Sequence, residues 1–242
     1  MLVAAAVCPC PPLLVPELAA GAAPEMDAAR AACGEALGVL AAARPELLVV
    51  VGPAGQPGCT PYPEGTRGSF RGFGVDVDVR LGRDRGTASG QEASGQELPP
   101  SLAVAAWLLE RTGRPDVPVE GIGVGELLEP ERCAAAGRDI ALRAGRVALL
   151  VMGDASACRS IKAPGYLDER AEPFDAGIAR ALEQADTAAL LALGTEPAHG
   201  LKASGRAPWQ VLAGAAEGAV LGGELLYDDA PYGVGYLVAT WS

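Results

Sequence analysis

The chain has 242 residues, half of them hydrophobic but only 5% aromatic, so Ala, Gly, Val and Leu must fill its core; that length suits one large α/β domain or two small ones. A net charge of −11, from 19 basic and 30 acidic side chains, repels phosphate backbones and anionic lipid and argues against nucleic acid or a membrane surface as partner. No apolar run reaches the length of a membrane span, and Met1 to Val7 lacks the basic start of a signal peptide, so a cytoplasmic protein is expected.

In chain order, Leu2–Cys8 reads as a buried strand that meets Cys-Pro-Cys-Pro-Pro. Prolines fix φ and remove donors, so this segment is a stiff loop at a strand end. Ala22–Arg44 has helical spacing and ends at Pro45. Glu46–Gly52 is a second buried strand, followed by a Pro- and Gly-rich loop over 53–72. Gly74–Leu81 alternates apolar and polar, the pattern of an edge strand. Residues 86–100 are polar and low in complexity, a loop. Ser101–Thr112 is a helix with Ser101 as its N-cap. Val117–Val124 is a strand, Pro130–Arg143 a helix and Arg146–Met152 a central strand ending in Gly153-Asp154. Pro173–Gln184, Thr187–Leu193 and Pro208–Glu217 read as helices. Ala219–Tyr227 and Val234–Thr240 are final strands, joined by "DDAPYG" as a hairpin.

This alternation predicts an α/β fold over 1–242 as one domain, with a mostly parallel, mixed sheet and helices on both faces. In such a sheet ligands bind beyond the carboxyl ends of the strands. Four loops meet that description: Cys8-Pro9-Cys10, Gly52-Pro53-Ala54-Gly55, Gly153-Asp154-Ala155-Ser156 and Asp228-Asp229. The six cysteines, at 8, 10, 33, 59, 133 and 158, are scattered without a CxxC pair, which favours free thiols over a disulfide framework or a zinc ribbon. There is one histidine, His199.

The four loops carry a resemblance. "CPCPPLLVPEL" is similar to the Pro-His-Pro-Pro opening of the catalytic B subunit of class III extradiol ring-cleavage dioxygenases, the LigB-like superfamily with its Memo and AmmeMemoRadiSam branches. "VVVGPAGQ" resembles that family's strand ending in Pro-His-Gly, and "GDASACRSIKAPGYLDERAEPFD" resembles its Gly-Asp-Leu-Ser-His segment. "GELLYDDAPYGVGYLVA", which contains Tyr232, is similar to its closing Tyr-Glu-Gly-Pro-Phe-Gly-Val-Gly-Tyr segment. Together they span nearly the whole chain, in order. The resemblance implies a non-haem Fe(II) site of two histidines and one carboxylate, with a further histidine as acid–base group. Imidazole and carboxylate suit Fe(II), and three ligands leave room for a catechol and O₂. Here Cys10, Ala54 and Ala157 stand at the histidine positions, and Asp229 at the glutamate.

Alanine has no donor atom, so the expected outcome is a LigB-like protein whose iron site has degenerated, without ring cleavage and without a resident cofactor. It binds a small molecule or a protein, a second copy of the chain among the candidates. The pocket residues are Cys10, Ala54, Asp154, Ser156, Ala157, Asp229 and Tyr232. Cys10 has three readings: an inert buried thiol, a ligand with Asp229 and Cys8 for a softer ion such as Zn²⁺, or a nucleophile paired with His199. His199 is an exposed loop residue or, alternatively, a catalytic group reaching the pocket. Asp228 and Asp229 also suit a hairpin turn. Two further readings stand beside the first: an enzyme of the same fold with altered chemistry, and a true dioxygenase with other ligands.

Overall fold

The computed structural model describes residues 1–83, 96–113 and 116–242. Its strands are β1 (Leu2–Cys8), β2 (Leu47–Ala54), β3 (Cys59–Tyr62), β4 (Arg67–Ser69), β5 (Asp78–Arg80), β6 (Val119–Gly125), β7 (Val147–Met152), β8 (Gly223–Asp229) and β9 (Tyr236–Trp241). Among the described residues, one seven-stranded sheet runs in the order β3-β6-β2-β7-β1-β9-β8. Its centre, β6-β2-β7-β1, is parallel. Antiparallel β3 closes one side, and the β9-β8 hairpin extends the other. The mixed sheet is the one the element order predicts.

The central strands are buried along almost their whole length, as parallel strands covered on both faces must be. Their Ala- and Val-rich runs fill that sandwich with small branched side chains. The helices are α1 (Pro16–Ala19), α2 (Asp27–Ala42), α3 (Pro100–Arg111), α4 (Pro130–Ala141), α5 (Ala171–Glu183), α6 (Thr187–Leu191), α7 (Thr195–Gly200) and α8 (Arg206–Ala215). One face of the sheet packs against α2 and α3 through Cys33, Leu37, Leu40, Leu102 and Leu109. The other packs against α4, α5, α6 and α8 through Ile140, Ile178, Leu190, Trp209 and Val211. Each fully buried Leu, Ile or Val in these layers contributes about 1.5–3 kcal/mol. Among the described residues no helix is long and apolar enough to cross a membrane. All six cysteines are free, and all but Cys59 are buried.

Several expectations need correction. The helix expected from Ala22 begins as a 3₁₀ segment, Ala20–Met26, and becomes α-helical at Asp27; Pro24 removes a donor and restrains Ala23. The loop expected over 53–72 contains β3 and β4, and the strand expected at Gly74–Leu81 shortens to β5, which pairs only with β4. Ser101 is not a cap: Pro99 holds that place, and the Ser101 hydroxyl donates to the Pro53 carbonyl at 2.7 Å. His199 lies on α7, not in a loop. Of the loop expected at 86–100, residues 86–95 lie outside the described residues; residues 96–99 are irregular.

Strand β8 carries a bulge. Leu225 pairs with Ala239 and Tyr227 with Val238, which leaves Leu226 extra. Leu226 and Tyr227 therefore both lean on the α2 face, and Asp229 comes to stand opposite Tyr236.

Candidate functional site

The carboxyl ends of β1, β7, β2 and β6 lie side by side, because parallel neighbours finish on one edge. There the loop after β1 is stitched to the loop after β7. The Gly153 N–H donates to the Cys8 carbonyl at 3.0 Å, and the Cys10 N–H donates to Asp154 Oδ1 at 2.8 Å. The segment entering α8 joins them: Asp154 N–H donates to Ser204 Oγ at 3.2 Å, and Gly205 N–H to the Asp154 carbonyl at 2.9 Å. A Cβ on Gly153 would collide with the Gly205 backbone, so only glycine permits this approach.

Asp154 is half-buried, and its second oxygen, Oδ2, has no hydrogen-bond partner in the protein. Burial pushes its carboxyl up to about 6, against the opposing effect of the Cys10 N–H; a desolvated carboxylate is disfavoured relative to its neutral acid. Burial also pushes the Cys10 thiol well up, and the charges of Asp154 and Glu126 add to this, while a hydrogen bond with Ser204 opposes it. Tyr236 is raised too, first by burial and then by Asp154 and Cys10, with Tyr232 and Tyr227 adding smaller effects. Cys10, Asp154, Ser204 and Tyr236 thus form one cluster.

At the ends of β2 and β6 opens a cleft of about 590 Å³, lined among others by Ala54, Gln56, Glu126, Leu127, Arg132 and His199 and not by Cys10, Asp154, Ser204 or Tyr236. Its volume lies within the usual range for small-molecule sites. His199 is exposed on α7 and shares this cleft with Ala54. Behind the wall sits Arg206, 1% exposed. Its guanidinium donates to the Leu128 carbonyl at 2.6 Å and to Gln210 Oε1 at 2.8 Å, and also to the Glu126 carbonyl. Gln210 Nε2 in turn donates to the carbonyls of Leu190, Leu191 and Leu193. One buried network therefore holds the loop after β6 and the chain leading to α7, the two sides that bring Glu126 and His199 to the cleft.

The other expected site residues fall elsewhere. Ser156 is fully buried and gives both its N–H and its hydroxyl to Asp175, each at 2.8 Å; it fastens a loop to α5 rather than lining a pocket. Ala157 is buried, its N–H donating to the Leu201 carbonyl at 2.9 Å. Tyr232 donates to Glu25 Oε2 at 2.8 Å. Asp229 is exposed on edge strand β8 and accepts the Ala230 N–H at 2.7 Å; after burial, it is the largest influence raising the Tyr227 hydroxyl. Cys8 is wholly buried with its thiol against Cys33.

These residues do not make the two-histidine, one-carboxylate set that suits iron: Ala54 and Ala157 offer no side-chain donor atom, and Cys10 stands at the remaining histidine position. Among the described residues no group of three or more His, Cys, Asp and Glu is arranged to hold a metal ion. Asp229 lies exposed on β8, and among the described residues it forms no three-membered group of possible ligands with Cys10. Sequence reading missed Ser204, Tyr236, Glu126 and Arg206. Glu126 follows a strand directly, a signal that was available; Ser204 and Arg206 approach only through the Gly153–Gly205 contact, which has no local signature.

No family model matches the chain, and no curated protein matches it. Among solved structures, the crystal structure of the uncharacterized protein JW3007 from Escherichia coli K12 is similar, with a TM-score of 0.56 at 13% identity, covering 99% of this chain and 99% of that one. The likeness is one of fold. It extends end to end, so the α/β sheet and its helices are common to both chains.

Proposed function

We propose that this protein is a LigB-like α/β protein that has lost iron-dependent ring cleavage and binds a small molecule in the cleft beside Ala54, Glu126 and His199. The observation that carries the reading is the chemistry at the sheet's carboxyl edge. Where the resemblance implies metal-binding histidines, the chain has a neutral, desolvated Cys10 thiol, Ala54 and a buried Ala157. The buried Arg206–Gln210 network supports a binding role, because it fixes both walls of the cleft before any ligand arrives. A cytoplasmic setting goes with this reading, since six free cysteines persist in a reducing compartment.

The test is metal retention and oxygen consumption. After anaerobic incubation with Fe²⁺ or Zn²⁺ and desalting, mass spectrometry is expected to find only trace metal. Oxygen uptake with protocatechuate is expected at the rate of free Fe²⁺. Near-stoichiometric metal in wild type that is lost in Asp229→Ala, or protein-dependent oxygen uptake, overturns the proposal.

A further inference from the structure

At the amino edge of the sheet, away from the cleft beside Ala54, α2 and α3 leave a groove of about 460 Å³ between them. Its walls are aliphatic: Leu37, Leu40, Pro45, Leu48, Leu109 and Val117 line it, and no aromatic ring does. Gly34 and Gly38, one turn apart in the interior of α2, widen it. Glycine weakens a helix interior relative to alanine, yet a Cβ at either position would meet nothing within 4 Å, so packing within the chain does not require these two. Thr112 is the one uncharged polar side chain on the groove, and its hydroxyl donates to the Leu108 carbonyl at 3.0 Å. Two charged residues stand there, Arg44 and Asp116. Asp116 is paired with Arg83, whereas the exposed Arg44 guanidinium has no hydrogen-bond or ion-pair partner among the described residues. Arg44 follows the end of α2 with a φ of 46°, a left-handed position where glycine is the usual occupant and arginine carries a steric cost. Capping does not account for it, because the carbonyls of Ala43 and Arg44 are already taken by the Arg146 guanidinium.

We propose that this groove is a second binding site, and that it takes a monomeric fatty acid, with the alkyl chain over Gly34 and Gly38 and the carboxylate at Arg44. The site stands apart from the carboxyl-edge cleft, and the inference does not rest on the reading given for that cleft. Walls without a free side-chain donor or an aromatic face select a saturated chain over a polar or ring-bearing ligand. The one unpaired charge on the groove, a cation, selects an anionic head. A volume of about 460 Å³ is on the scale of small-molecule sites. A single carboxylate needs only Arg44, while a polyanion or an anionic lipid surface meets the chain's net charge of −11.

The experiment is isothermal titration calorimetry with hexanoate, octanoate and decanoate below their micelle concentrations, and with decanol and decylammonium as the neutral and cationic counterparts. Wild type is expected to bind decanoate, with affinity rising about fourfold per methylene along the acid series and decylammonium about fivefold weaker or more. Gly38→Leu places a side chain in the groove at a position where a Cβ meets only open space. It is expected to fold, as circular dichroism checks, and to lose about 10-fold or more in decanoate affinity. Arg44→Gln is expected to lose about fivefold for the acids and to leave decanol unchanged. No binding of any acid overturns the proposal. So does equal affinity for decanoate and decylammonium, or decanoate affinity unchanged in folded Gly38→Leu or in Arg44→Gln. Light scattering on the same samples tests for a second copy as the occupant: a dimer that Gly38→Leu dissolves, without binding of acid, overturns the proposal in favour of a contact between chains.

Discussion

Two aspartates serve the loop that follows β7, and they are built in opposite ways. Asp175, on α5, is 1% exposed and accepts three donors: the Ser156 N–H and hydroxyl, both at 2.8 Å, and the Arg159 guanidinium at 3.2 Å. Asp154, on the loop itself, accepts one backbone N–H with one oxygen and leaves the other open. The first carboxylate is saturated, and its work is to hold the loop in place. The second is desolvated with a single N–H in compensation, and burial pushes its carboxyl up to about 6. A buried charge with all its partners is structure, and one held short of partners is the usual sign of chemistry.

The comparison breaks most visibly through Asp175. Asp175→Ala leaves Ser156 and Arg159 without their acceptor and is expected to cost about 3–5 kcal/mol, read by urea unfolding at pH 7. A cost near zero makes the two aspartates alike and removes the contrast. Next comes the pH dependence of Asp154. Its folded-state carboxyl lies above its ordinary value, so the folded protein holds this proton more tightly than the unfolded chain. The resulting stabilisation is full below about pH 4 and is lost as pH rises through about 6. Wild type minus Asp154→Asn is expected to show a swing of about 2 kcal/mol across that window, discounted for partial exposure. A flat difference places Asp154 among ordinary carboxylates. Ser204→Ala removes the acceptor of the Asp154 N–H and is expected to cost about 1 kcal/mol in the same unfolding assay. Smallest is Asp229→Ala, on an exposed edge strand, expected within about 0.5 kcal/mol of wild type. A larger loss gives Asp229 a role beyond its turn contacts.

Much of the fold was legible because its signals are local. The β1, β2 and β7 runs are short, apolar and bounded by Pro or Gly, and each forms a strand within two residues of its expected limits. Pro130 and Pro45 marked a helix start and a helix end correctly, since proline acts on its own neighbours. Of the four strand-end loops, those after β1 and β7 meet, and the Cys10–Asp154 bond joins them across 144 residues. What escaped were contacts made by packing rather than by pattern. Ser101 sits where an N-cap belongs, yet tertiary contact turns its hydroxyl to Pro53. Ser156 and Asp154 lie two residues apart in one motif, and only the fold sends one to Asp175 and leaves the other open. Arg206 is a charge in the interior, a placement that composition argues against and that two carbonyls of the loop after β6 and the Gln210 side chain make tolerable.

The bulge at Leu226 has a further consequence for this hairpin. With that residue in place, Asp229 stands opposite Tyr236 and its charge acts on Tyr227, while Asp228 turns to the other side, where the charges of Arg159 and Asp175 reach it. Pairing resumes directly on either side of the bulge, so deleting Leu226 would leave Leu225–Ala239, Tyr227–Val238 and Asp229–Tyr236 as an unbroken ladder. The acidic pair is held by its register to the turn, and the bulge changes only which face the residues before it present.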